Sequence, residues 1–146
     1  MKRLAIGNDH RGVKLKNFLL AQRMIKNHIV GWCDVGTDQP ERADYPQYAF
    51  KVVKKLLAGE VDGAVLLCGT GIGMSMAANR FKRIYGALVW NEEIARRAKE
   101  EDNANVLILP ADYIGEQEAI VLINAWLSAK FLNDGYQHRL HELDMF

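Results

Sequence analysis

The chain has 146 residues, 49% of them hydrophobic and 25% charged, with a formal net charge of +1. That length suits one domain, residues 1–146, with a core burying roughly two-thirds of the unfolded surface. The balance excludes a disordered or fibrous chain, and it lacks the concentrated basic excess of a nucleic-acid binder.

The basic clusters Lys51/Lys54/Lys55 and Arg80/Lys82/Arg83 are short and read as solvated helix faces. No apolar run approaches the ~18 residues of a membrane span, and the apolar stretch after "MKR" is too short for a signal-peptide core. The two cysteines, Cys33 and Cys68, sit in apolar segments, so a disulfide framework is not expected. The expected location is the cytoplasm, with neither membrane nor nucleic acid as a partner.

In chain order, apolar strand-like runs alternate with stretches of helical period. "RLAIGN" is the first strand, followed by a helix over Val13 to Lys26. "HIVGWCDVG" is the second, followed by a helix over Tyr45 to Leu57. "GAVLLCG" leads into a helix over Ile72 to Phe81, "IYGALVW" into one over Glu92 to Glu101, and "NVLILPA" into a long helix from about Glu116. After a polar break at "NDG", the tail "YQHRLHELDMF" forms a short helix with Leu140 and Leu143 on one face, placed to dock on a partner subunit.

This alternation predicts a three-layer, Rossmann-like α/β fold: a five-stranded parallel sheet in the flavodoxin-like order 2-1-3-4-5, with an extra C-terminal helix. Such sheets bind ligands beyond the carboxyl ends of their strands, at the topological switch point. Asp9 and His10 follow the first strand and Cys68 ends the third, so both converge on that crevice.

The stretch "LLCGTGIGMS", residues 66–75, carries the chemistry. A glycine-rich turn that opens a helix leaves backbone N–H groups unpaired, and no side chains keep an anion away. It lacks the Lys and Ser/Thr ending of a nucleotide loop, and Met76 stands where a dinucleotide fingerprint needs its third glycine. Cys68 points instead to an oxyanion that forms during reaction. A helix N-terminus favours the thiolate, the form of cysteine that takes a proton. Cys33 has no such turn after it and reads as structural.

"GNDHRGVKLK", "DVGTDQPERADYPQYA", "GEVDGAVLLCGTGIGMSMAANRFKRIYGAL" and "NANVLIL" resemble, in order and spacing, the ribose-5-phosphate isomerase B family, which also contains the galactose-6-phosphate isomerase subunits. The resemblance implies an aldose–ketose isomerase of sugar phosphates that passes through a cis-enediolate without metal or organic cofactor. It makes Cys68 the base and Thr70 the relay between the two oxygens. The backbone of Gly69, Gly71, Ile72, Gly73, Met74 and Ser75 becomes the oxyanion hole, and Asp9, His10 and Tyr45 become substrate-binding residues. It also implies a homodimer, sometimes paired into a tetramer, with each active site completed by the neighbouring subunit.

Four departures stand out. Glu101 replaces the family's ring-opening histidine and becomes the candidate for that role, and Asp102 replaces the adjacent asparagine as a substrate contact. Asp112 replaces one phosphate-gripping arginine, and only Arg139 of the terminal arginine pair remains, with His138 beside it as a second anion contact. His28 and His141 read as surface residues. The alternative that these departures leave open is a non-catalytic or substrate-shifted paralogue that binds sugar phosphates.

Overall fold

The computed structural model describes residues 1–146. Six strands form one sheet: β1 (Lys2–Asn8), β2 (Met24–Ile25), β3 (His28–Asp34), β4 (Gly63–Cys68), β5 (Gly86–Leu88) and β6 (Val106–Pro110), in the order β2-β3-β1-β4-β6-β5. The helices are α1 (Val13–Leu20), α2 (Tyr45–Leu57), α3 (Ile72–Ala78), α4 (Glu92–Glu100), α5 (Glu116–Ser128) and α6 (Gln137–Met145).

The three layers follow from where apolar side chains go. One face of the sheet packs its core with α1, α4 and α5, through Leu15, Leu19, Ala95, Ala98, Ile123 and Trp126. The other packs with α2 and α3, through Ala49, Val52, Val53, Met74 and Ala77. Strands β4 and β6 are buried along their whole length, as central parallel strands covered on both faces must be.

The α/β class is the expected one, with two corrections. The expected order 2-1-3-4-5 becomes 2-1-3-5-4 among the five parallel strands, because β6 lies between β4 and β5. Burial gives the reason: "VLILP" is apolar throughout and takes the interior place, whereas the half-buried "GAL" of β5 suits an edge. The second correction is that the first helix stops at Leu20 rather than Lys26. Met24 and Ile25 instead pair antiparallel with Ile29 and His28, and Lys26 turns the chain at φ +51°. The turn lacks glycine, so the sequence carries only a weak hairpin signal.

The switch point survives both corrections. From β1 the chain crosses to β3 on one side, from β4 to β5 and β6 on the other, and β1 and β4 lie side by side. Two buried polar residues fix the loop that follows β3 against this seam. Asn8 donates to the carbonyls of Asp9 and Thr37 and accepts from the Thr37 N–H. Lys16, 1% exposed, reaches Asp34 at 2.8 Å and Asp38 at 2.9 Å. Burial alone would pull the Lys16 ammonium down, but these two hydrogen bonds outweigh it and hold it above its ordinary value.

At the other end of the sheet, the C-terminal helix is tied to the segment preceding β5. Asp144 accepts from the Arg83 N–H at 2.8 Å and from the Tyr85 hydroxyl at 2.7 Å. Burial, together with the bond to that carboxylate, pushes the Tyr85 phenol up to about 12.

Candidate active site

At the carboxyl end of β4, Cys68 is buried at 4% exposure and pairs with Pro110 across β6. The next residues turn sharply: Gly71 adopts φ +76°, a left-handed conformation that glycine enters without strain. A side chain there would also meet Leu88, so the position needs glycine twice over. The turn then opens α3.

The turn's donors divide into two sets. Thr70 Oγ1 accepts from the Ile72 N–H at 3.2 Å, and the Gly71 carbonyl accepts from the Ser75 N–H at 3.0 Å. Both N–H groups are therefore engaged, which corrects the expectation that every amide from Gly69 to Ser75 faces the ligand. Those of Gly69, Thr70, Gly71, Gly73 and Met74 make no hydrogen bond within the chain. Met74 can contribute only its backbone, because its side chain is fully buried in the core.

Around this turn the structure gathers the other residues read from the first half of the sequence. Asp9 is buried, its N–H donates to the Leu67 carbonyl, and its Oδ1 accepts from the Arg11 N–H at 2.9 Å, capping a short 3-10 turn over His10–Gly12. Asp9 thus combines a capping bond with a carboxylate at the seam. The Ala43 N–H donates to His10 Nδ1 at 3.2 Å, so Nε2 is the ring nitrogen that carries a proton outward. Tyr45 opens α2 and lays its ring on Gly73, where an added Cβ would stand 2.8 Å from Cζ. A crevice of about 400 Å³, lined by Thr70, Ile72, Leu88, Trp90, Pro110 and Tyr113, opens beside the turn.

Arg11 and Asp112 form an ion pair across this site that sequence reasoning missed. The signal was present as a reciprocal charge: an arginine beside His10, and an acid where the resemblance expects an arginine.

Glu101, Asp102, His138 and Arg139 lie elsewhere. Glu101 and Asp102 precede β6, whose first residue, Val106, is in register with Ala64, whereas its last, Pro110, is in register with Cys68. The strand alone separates the two ends by about 13 Å. Glu101, the expected catalytic acid, therefore does not reach its own chain's thiol; its carboxylate pairs with Arg97 at 2.9 Å.

Asp102 faces a cavity of about 500 Å³ between α6 and the segment around Tyr85, lined also by Leu140, Leu143 and Asp144. Burial, and then the neighbouring Glu101 carboxylate, push the Asp102 carboxyl up from its ordinary range, against the pull of Arg139. His138 and Arg139 are exposed on α6, with the Arg139 guanidinium 5.6 Å from the centre of the Tyr136 ring. His28, expected at the surface, is half-buried and bonded to Ser128 Oγ at 2.9 Å, and His141 is exposed.

Known proteins resemble this chain over nearly its whole length. The family described as Ribose/Galactose Isomerase matches residues 4–143. Ribose-5-phosphate isomerase B of Escherichia coli is 36% identical over 143 residues, covering 98% of this chain and 95% of the relative. Among solved structures, a ribose 5-phosphate isomerase from Thermotoga maritima superposes with a TM-score of 0.93 at 39% identity, covering 99% of both chains. Ribose-5-phosphate isomerase B from Mycoplasma genitalium, with bound ribulose-5-phosphate, superposes with a TM-score of 0.88 at 34% identity, covering 98% of this chain and 94% of the other.

Proposed function

The chain belongs to the ribose/galactose isomerase family, and on that premise we propose that it interconverts an aldose phosphate and a ketose phosphate, with ribose 5-phosphate and ribulose 5-phosphate as the pair. The observation that carries the reading is Cys68 at the end of β4, followed by Thr70 and five amides without an intrachain acceptor.

The Cys68 thiolate takes the proton from C2 of the open-chain aldose. The electron pair of that C–H bond forms the C1–C2 double bond, and the negative charge settles on O1. Amides preorganised toward that oxygen stabilise it at the moment of charge development, worth about 3 kcal/mol per donor. Thr70 passes the hydroxyl proton from O2 to O1, and the Cys68 thiol returns its proton to C1, leaving a carbonyl at C2. Asp9, His10 Nε2 and Tyr45 hold the sugar chain across the β1/β4 seam. The reaction relocates two protons within the substrate, from C2 to C1 and from O2 to O1, and so calls for no cofactor.

Glu101 and Asp102 serve the step before this one, opening of the furanose ring. Of the two, Asp102 suits proton donation better, because its carboxyl retains its proton to higher pH than an ordinary carboxylate. They sit at the far end of their own sheet, so the site must be completed by a second copy of the chain. Exposed apolar residues provide the surfaces: Ile72 and Met76, one turn apart on α3 beside the glycine turn, and Leu143, Met145 and Phe146 at the C-terminus. A homodimer with two shared sites is the proposed state. Sedimentation should give twice the chain mass, and a single-chain mass at working concentration would refute it.

Residues 1–146 are read as one isomerase domain. No helix is long and apolar enough to cross a membrane. Both cysteines are unpaired, which supports a reducing, cytoplasmic setting.

A substrate-shifted or non-catalytic paralogue is the second reading, favoured by the acids at 101, 102 and 112. One experiment separates the two: incubation in deuterated water with four- to six-carbon aldose and ketose phosphates, followed by NMR at C1 and C2. Interconversion of the ribose and ribulose phosphates with deuterium entering the product is expected. Activity on another sugar alone would support the shifted substrate. Binding without exchange on any sugar would establish the non-catalytic paralogue.

A further inference from the structure

We propose that Arg11 grips the phosphate of the substrate, with Asp112 as the residue that positions its guanidinium; the inference rests on the reading of the site as a sugar-phosphate isomerase. Three observations place Arg11. Its backbone belongs to the 3-10 turn capped by Asp9, so it leaves the carboxyl end of β1 beside two residues of the site. Its side chain then crosses the seam and lies over Gly69, the residue after Cys68: a Cβ added to Gly69 would fall on the guanidinium carbon, Nε and Nη1. Beyond Gly69 the guanidinium meets Asp112 through one terminal nitrogen.

Asp112 is itself fixed to this turn, since its N–H donates to the Gly69 carbonyl at 3.0 Å. Acid, arginine and glycine therefore form one rigid assembly across the ends of β1, β4 and β6. A guanidinium presents five N–H donors in a plane. Holding one nitrogen on a carboxylate fixes that plane and leaves the remaining donors for an anion, and the Arg11 side chain is 48% exposed.

Charge supports the same assignment. An unpaired carboxylate at 112 would face a phosphorylated substrate at the mouth of the site and repel it. Paired with Arg11 it is cancelled, and the arginine remains a permanent donor at any working pH. Arg139 acts on Asp102 at the far end of the sheet, and His138 is its neighbour on α6, so neither performs this task for its own Cys68. The resemblance expects an arginine at 112. This chain has the acid there and the arginine at 11, and so delivers the guanidinium to the glycine turn from the opposite strand.

A merely structural ion pair makes a different forecast: loss of either partner would change stability by a similar small amount and leave substrate affinity alone. The test compares wild type with Arg11→Met, Arg11→Lys, Asp112→Asn and the double variant Arg11→Ala/Asp112→Arg. Its readouts are KM and kcat for the sugar phosphate, and Kd for inorganic phosphate by titration calorimetry. Arg11→Met should raise KM and the phosphate Kd by about 10- to 100-fold, with a smaller change in kcat. Arg11→Lys should recover part of that loss, and the double variant most of it; Asp112→Asn, which only loosens the guanidinium, should move KM by a few-fold. Values for Arg11→Met within about two-fold of wild type, with circular dichroism unchanged, overturn the proposal. Because inorganic phosphate is measured apart from turnover, the two readings fail separately. A wild type that isomerises nothing yet binds phosphate through Arg11 would end the isomerase reading and keep this one.

Discussion

Replacement of Cys68 by alanine is expected to lower the rate of isomerisation by about 10³-fold or more while leaving substrate affinity within about two-fold, because the thiol acts on the reacting carbon. The side chain is small, so removing its sulfur from the core cluster it belongs to leaves only a small cavity, and the fold should persist. Deuterium exchange at C2 should disappear together with turnover, since both begin with the same proton abstraction. Cys33→Ala, on the half-buried face of β3, serves as the matched control and should behave as wild type. Full turnover in the Cys68 variant would show that another group is the base, and the glycine turn would then need a different explanation.

The second large effect is expected at Gly71. Alanine there must adopt φ +76° with a methyl group directed onto Leu88. The backbone strain and the clash together should cost about 1–3 kcal/mol of stability. Relief comes by rotating the turn, which redirects the unpaired amides on either side of the residue. A loss of about 10²-fold in kcat should follow, since each misplaced oxyanion donor costs about that much. Measured on protein whose circular dichroism remains native, kcat should fall further than KM rises. An unchanged kcat would mean that the amides of this turn do not meet the enediolate.

Much of this arrangement is legible in the sequence, and the exceptions have identifiable causes. The glycine turn, Cys68, Thr70 and the Asp9–His10 pair are local features, each fixed by a strand end and the residues next to it. Tyr45 is legible only through the resemblance, because nothing in "DYPQYA" announces that its ring will rest on Gly73. Strand order is a global choice between two neighbours of similar length in the chain, decided by how completely "VLILP" is buried.

Glu101 shows a different limit. Matching to a family assigns a position a role without saying at which end of the sheet the residue stands. The clue was already present, because a residue just before a parallel strand lies at the end away from the ligand. The Arg11–Asp112 pair was missed for the converse reason: its reciprocal charges stand 101 positions apart in sequence, and only the alignment of three strand ends brings them together.

The shortness of the outermost strands sets how the molecule can associate. The sheet ends in a two-residue antiparallel strand on one side and a three-residue strand on the other. Neither offers a run of free backbone long enough to template another chain, which is the route by which open sheets grow into continuous arrays. Growth by strand addition is thereby disfavoured at the outermost strands, and any self-recognition falls to helical surfaces, whose contacts are satisfied by a finite number of copies. A crowded solution of this protein should therefore contain discrete particles in place of fibres.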